Sequence, residues 1–269
     1  MTIYEFSDAI TRMRAFFQSE LHFIEVPTQS RLSILAACED PETISQFTFE
    51  GVNYPLPQTG QMWLERELLT KPDIPGVFCQ STSYRNEQNP IPGRHDLIFP
   101  MFEFESFGNV DDLKRLLSSF LNFFDLPAAE TVSYVSACNR YGVDLIGAVE
   151  EARLQNDYGN SVMLERFPMH SQPFWNMKVH LTLANKVDVI LHGVETIGSA
   201  ERSSDTDEMY RNFHLVSDGK YAQLLYHQFG KGRVESELHD YLSLPMVPRF
   251  GGGIGLTRFI RALKLKGRN

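Results

Sequence analysis

The chain alternates between two hydrophobic periods, one helical and one strand-like. Residues 7–21, SDAITRMRAFFQSEL, set Ile10, Met13, Phe16, Phe17 and Leu21 at helical spacing behind a Ser-Asp start, which predicts an amphipathic helix. FIEVP then alternates apolar and polar and ends on Pro27, a short strand meeting a boundary. SQFTFEGVNYPLP predicts a hairpin turning at Glu50-Gly51, GQMWLERELLT a helix, and GVFCQSTSYR and LIFPMFEFESFG two strands. NVDDLKRLLSSFLNFFDL gives the strongest helical pattern, with Asn109 as cap, Asp111 and Asp112 in the first turn, and leucines on one face. Residues 128–166 hold mixed short elements; PFWNMKVHLTL, KVDVILHGVETIG and RFGGGIG read as strands, and LTRFIRALKL as a closing helix. Strands flanked by helices and joined by hairpins predict one α+β domain over residues 1–269, with an antiparallel or mixed sheet.

Bulk composition narrows the class without naming a chemistry. The 269 residues are 42% hydrophobic and 22% charged, as in a globular protein with one large core. No apolar run is long enough to span a bilayer, and MTIYEFSDAITRMRAFF lacks the layout of a signal peptide. Cys38, Cys79 and Cys138 are far apart and form no C-x-x-C, so neither a disulfide framework nor a zinc site is expected, and a reducing cytoplasm fits. The net charge of −9 disfavours nonspecific nucleic-acid binding.

Against that acidic background three stretches gather chemistry. In YRNEQNPIPGRHD, Arg85 and Glu87 end one strand while Arg94 and His95 precede the next, so a hairpin brings both pairs to one edge. Guanidinium pairs suit phosphate oxygens and Phe99 suits base stacking, although a solvated hairpin tip would carry the same residues. In VDVILHGVETIGSAER, Asp188 and Glu195 are seven apart, on opposite faces of a regular strand. They meet at one ion only where the segment bends, as Gly193 permits; two carboxylates with phosphate and water oxygens would then suit Mg²⁺, and otherwise they are two ordinary acids. In RFGGGIGLTRF, successive glycines ahead of a helix start and Arg258 fit either close approach of a ligand or a tight turn.

Taken in order, these motifs resemble the catalytic core of class II aminoacyl-tRNA synthetases, nearest the asparaginyl/aspartyl branch. FFQSELHFIEVPT resembles the first motif of that family, YRNEQNPIPGRHDLIFPMFEFES the second and GGGIGLTRF the third; LPQTGQMWLE and RFPMHSQPFWNMK are similar to branch segments between them. The resemblance implies that Arg85 grips the α-phosphate of ATP and the substrate carboxylate, with Glu87 facing adenine and Phe99 stacking on it. It implies outer-phosphate contacts from Arg94 and His95, Mg²⁺ on Asp188 and Glu195, and Arg258 against the phosphates. Gln61 and Glu103 would hold the α-ammonium, and Arg202 the substrate's side-chain carboxylate or amide. The chain departs from the family at Thr257, Arg249, Ile98 and Leu64, where an acid, a histidine, a glutamate and, in the aspartyl branch, a lysine are usual.

What the resemblance implies is an AMP-forming ligase using ATP and Mg²⁺, a homodimer, with no anticodon-binding domain and no membrane partner. The expected reaction activates aspartate as an adenylate that ammonia converts to asparagine. Transfer to a carrier protein, a protein lysine or a small-molecule amine is the alternative, then a non-catalytic amino-acid-binding paralogue. Charging of tRNA ranks last.

Overall fold

A computed structural model describes residues 1–27, 32–91 and 96–266. Its centre is a nine-stranded sheet made of β1 (Ile24–Glu25), β4 (Gly76–Tyr84), β5 (Ile98–Phe107), β6 (Glu130–Ser133), β7 (Ser161–Pro168), β8 (Val179–His180), β9 (Leu183–Leu191), β10 (Val194–Arg202) and β11 (Arg249–Gly255). The spatial order is β1-β4-β5-β11-β10-β9-β7-β6, with β8 on β9. Among the described residues, only β1–β4 and β6–β7 pair in parallel. A separate hairpin, β2 (Gln46–Phe49) with β3 (Val52–Pro55), turns at Glu50 and Gly51, both at positive φ.

Alternation along the strands gives the sheet two unlike faces. In β5, Phe102 and Phe104 point one way and Glu103 and Glu105 the other, and all four are buried. The Phe side packs on α3 (Val110–Phe123) and α9 (Leu256–Lys266) with Val187, Val189, Ile197 and Phe250. Phe17 sits on this face with its ring centroid 5.1 Å from Phe102 and 5.2 Å from Phe104. The predicted first helix is α1 (Ile3–Arg14), and it continues as a π-helical turn over Ala15–Glu20. Within that turn the adjacent Phe16 and Phe17 are both buried. Asn109 caps α3 as expected, accepting from the Asp111 and Asp112 amides, while Asp112 returns a bond to the Asn109 amide.

Two sequence expectations need correction. PFWNMKVHLTL is not one strand: Met177 makes an isolated bridge to Arg202, Val179–His180 pairs with β9, which Leu183 opens, and Trp175 and Asn176 are instead buried under helices. Those helices, α6 (Thr206–Leu215), α7 (Lys220–Phe229) and α8 (Lys231–Leu242), occupy a stretch to which no element was assigned. Their Met209, Phe213, Leu225 and Leu238 build a second core around Trp175. On the polar side of the sheet lies α2 (Gln61–Leu69); α4 (Tyr134–Tyr141) and α5 (Ala148–Tyr158) pack against the β7 edge. Among the described residues, no helix is long and apolar enough to cross a membrane.

Candidate active site

The polar face of the sheet assembles three adjoining groups of side chains. The first lies at the ends of β4 and β5. Their register sets Ser83 opposite Phe99, and the Arg85 amide donates to the Leu97 carbonyl at 2.8 Å. The Arg85 guanidinium pairs with Glu39, donates to Ser83 Oγ at 3.4 Å and lies 5.9 Å from the centre of the Phe99 ring. Glu39, then Glu195 and Glu87 among the weaker contributors, raise the Arg85 pKa against the effect of burial. Arg85, Glu87 and Phe99 are thus neighbours; Arg94 and His95 lie outside the described residues.

The second group belongs to the β9–β10 hairpin. His192 and Gly193 adopt positive φ at its turn, and a bulge interrupts the ladder between Glu195 and Ile197. The bend permitted at Gly193 is this hairpin turn, and it brings Asp188 and Glu195 together. A Cβ placed on Gly198 would lie 3.3 Å from Glu195 Oε1 and 3.7 Å from Asp188 Oδ1, so both carboxylates border that residue. Arg258 joins them from the first turn of α9, donating to the Glu195 carbonyl at 2.8 Å with its guanidinium 3.9 Å from Glu195 Oε2. Asp188 is 6% exposed; Lys186 holds its Oδ2 at 2.5 Å, and Oδ1 has no hydrogen-bond partner among the described residues. Burial, with Glu195 nearby, pushes the Asp188 carboxyl up to about 7 although Lys186 opposes it. An open buried carboxylate oxygen beside a second acid suits a hard, oxygen-preferring cation that keeps water and phosphate ligands. Among the described residues, no cluster of three or more His, Cys, Asp or Glu forms a closed metal cage.

The third group fills the floor between β5, β11, β10 and α2. Glu103 is fully buried and accepts from Thr59 Oγ1 at 2.6 Å, the Gly60 amide at 2.9 Å and Ser81 Oγ. All three donors are neutral, and burial raises its pKa. Gln61 opens α2 four residues before Glu65, on the same helix face. Arg202, 3% exposed at the end of β10, donates to Gln61 Oε1 at 2.5 Å and Glu105 Oε1 at 2.6 Å, with Glu65 at 3.7 Å. Burial pushes the Glu105 carboxyl up to about 8 despite Arg202, and its Oε2 has no partner.

Arg249 stands behind this floor and is wholly internal. It donates to Glu65 Oε2 at 2.8 Å, Tyr241 Oη at 2.8 Å and the Ser203 carbonyl at 3.0 Å, while Asn176 and Tyr241 donate to Glu65 as well. The residue standing at the usual histidine position is therefore a buttress joining α2, α8 and β11. The glycine run has a packing role in the same place. A Cβ on Gly251 would fall inside the Glu105 carboxyl group, and one on Gly253 would lie 3.2 Å from Gln61 Nε2. Leu64 is buried with Val77 and Cys79 in an apolar cluster.

Sequence reasoning missed Glu65, Glu105, Arg249 and Lys186 as participants. Glu65 was visible one helical turn after Gln61, and Glu105 and Lys186 each two residues from a candidate acid on the same strand face.

The family model for class II tRNA synthetases (D, K and N) matches residues 2–266. Among curated proteins none matches the chain by sequence. Similar solved structures include the asparaginyl-tRNA synthetase of Pyrococcus horikoshii complexed with asparaginyl-adenylate, at TM-score 0.77 and 19% identity over 97% of this chain and 64% of that one. The asparaginyl-tRNA synthetase of Entamoeba histolytica superposes at TM-score 0.74 and 20% identity, over 97% of this chain and 63% of that one. A putative aspartyl-tRNA synthetase from Leishmania major Friedlin gives TM-score 0.75 and 16% identity, over 97% and 61%. The chain thus spans under two thirds of the length of these proteins.

Proposed function

We propose that this chain, which belongs to the class II tRNA synthetases (D, K and N), activates aspartate with ATP as an aminoacyl-adenylate and passes the aminoacyl group to an amine nitrogen. The observation that carries the reading is the convergence of Arg85, Glu103 and Arg202 on one sheet face: a cation for a phosphate, a neutral-bonded carboxylate for an ammonium, and a buried cation for a side chain. The neighbour from Pyrococcus horikoshii, whose structure is a complex with asparaginyl-adenylate, supports the same chemistry.

In this reading a substrate carboxylate oxygen attacks the α-phosphorus of ATP and pyrophosphate leaves. Arg85 steadies the charge growing on the α-phosphate, and Phe99 stacks on adenine. Glu103 accepts from the α-ammonium, for which its three neutral contacts leave its charge uncancelled. Arg258 faces the outer phosphates; Asp188 and Glu195 would hold Mg²⁺, whose charge supports the pyrophosphate leaving group. Ammonia is the smallest nitrogen acceptor, and it gives asparagine and AMP when the β-carboxylate is the one that attacks phosphorus and the α-carboxylate is the one held by Arg202. Incubation with ATP, Mg²⁺, aspartate and ammonium is expected to form asparagine; adenylate formation without asparagine would contradict ammonia as acceptor.

Arg202 bears on the choice of aspartate. It already faces two carboxylates, so a third is accommodated only when one of them carries a proton. Glu105, raised to about 8, is that one, and its unpartnered Oε2 is free to hold the proton.

A further inference from the structure

A cavity of about 440 Å³ opens beside Asp188 and Glu195. Its lining includes Tyr134 of α4 in ring contact with Phe167 of β7, Phe174 in ring contact with Tyr221, and Leu164 and Val216. Gln61, Glu103, Arg202, Phe99 and Arg258 do not line it. It shares with the proposed activation site only the two acids and Glu39, the partner of Arg85. The cavity therefore meets the activation site at the two acids and at Glu39, the partner of Arg85, which that reading places at the reacting phosphate.

Its chemistry selects an occupant. Among the described residues, five carboxylates line it, Glu39, Asp40, Glu151, Asp188 and Glu195, with Lys186 as the one cation; with Asp188 and Glu195 given to Mg²⁺, Glu39, Asp40 and Glu151 keep the space acidic. That lysine is bound to Asp188 and lies 4.0 Å over the Phe167 ring. An acidic space with aromatic walls favours an ammonium carrying an apolar body and repels a phosphate-bearing acceptor. At about 30 Å³ for a water-sized group, ammonia alone would leave nearly all of the cavity to solvent. The volume falls in the ordinary range for small-ligand sites, roughly 300–1,000 Å³.

We propose that this cavity is the acceptor site, and that the acceptor is a small primary amine with an apolar or aromatic body. The proposal rests on the activation reading above and specifies its second half. The bound ammonium gives up one proton through the lining carboxylates to solvent, and the freed nitrogen forms a bond to the adenylate carbonyl carbon. The bond from that carbon to the phosphate oxygen breaks, AMP leaves with its electron pair, and the nitrogen sheds a second proton as the amide forms. No oxidant or reductant takes part.

Pyrophosphate exchange without acceptor reports activation alone, whereas AMP release reports transfer. With ATP, Mg²⁺ and aspartate, phenethylamine or tyramine is expected to drive AMP release at a half-saturating concentration at least tenfold below that of ammonium. Ile146→Trp, at the half-buried rim beside Tyr134, is expected to raise that concentration at least tenfold and leave exchange within twofold; Val216→Trp, at another lining position, is expected to give the same result. Ammonium as the better acceptor, unaffected by either variant, would overturn the proposal, as would AMP release driven by deacylated tRNA and by no amine. Calorimetric titration of phenethylamine into the wild type and Ile146→Trp reads the site without chemistry. Equal binding, or none to either, overturns it even where exchange fails.

Discussion

Glu105 sits at the hinge of substrate choice, because its proton sets the charge available on Arg202. Burial raises its carboxyl pKa to about 8, so below that pH it is neutral and Arg202 keeps a charge for a substrate carboxylate. As pH rises through 8 the proton leaves, Glu105 neutralises Arg202, and a second carboxylate is repelled. The KM for aspartate in pyrophosphate exchange is therefore expected to climb above pH 8, and Glu105→Gln to flatten that climb. A KM independent of pH in the wild type, or one that climbs equally in the variant, would contradict this role. Arg249 gives a second residue-scale test. Arg249→Met leaves Glu65 buried without its main cation, which costs about 3–5 kcal/mol and is read as a fall in Tm; Glu65→Gln in the same chain is expected to restore part of it. Arg202 and Glu103 were legible because the resemblance assigns them directly. Arg249 was legible only as a departure, since its partners come from α2, α8 and the 203 loop, far apart in sequence.

Elements were most legible where period and caps agreed. The α3 helix carries both an apolar stripe and a complete capping box, and the β2–β3 hairpin turns at the predicted pair. The β9–β10 hairpin turns at the glycine where the sequence permits a bend. Read as one strand, Asp188 and Glu195 fall on opposite faces; with a turn at His192-Gly193 and a bulge after Glu195 they border one residue. The α6–α8 stretch carried a signal, since Met209 and Phe213, or Tyr221, Leu225 and Phe229, recur at four-residue spacing. In PFWNMKVHLTL, aromatic content suggested a strand, yet the pull on Trp175 comes from burial under these helices. For β11 the prediction concerns its glycines. Gly251→Ala pushes a methyl into the Glu105 carboxyl, so it is expected to lower stability by about 1–3 kcal/mol and to weaken aspartate use together. Unchanged melting and unchanged exchange would show that β11 has slack that this packing lacks.

At the scale of the molecule, a two-faced sheet separates the work of folding from the work of the site. Phenylalanines and aliphatics bury one face under α3 and α9, while the same strands set glutamates and arginines on the other. That division was legible in the alternation of FPMFEFESF. The strand order was not, because β11, the last strand in the chain, inserts between β5 and β10 by long-range pairing that no local pattern encodes. The net charge of −9 coexists with a cationic site because Arg85, Arg202 and Arg258 each face carboxylates that hold them in place. The central claim is that this face forms an aminoacyl-adenylate. ATP–pyrophosphate exchange, measured with Mg²⁺ across the amino acids, tests it directly. Exchange that depends on aspartate and falls by about two to three decades in Arg85→Ala is the predicted result; exchange with no amino acid, or exchange indifferent to Arg85, would contradict it.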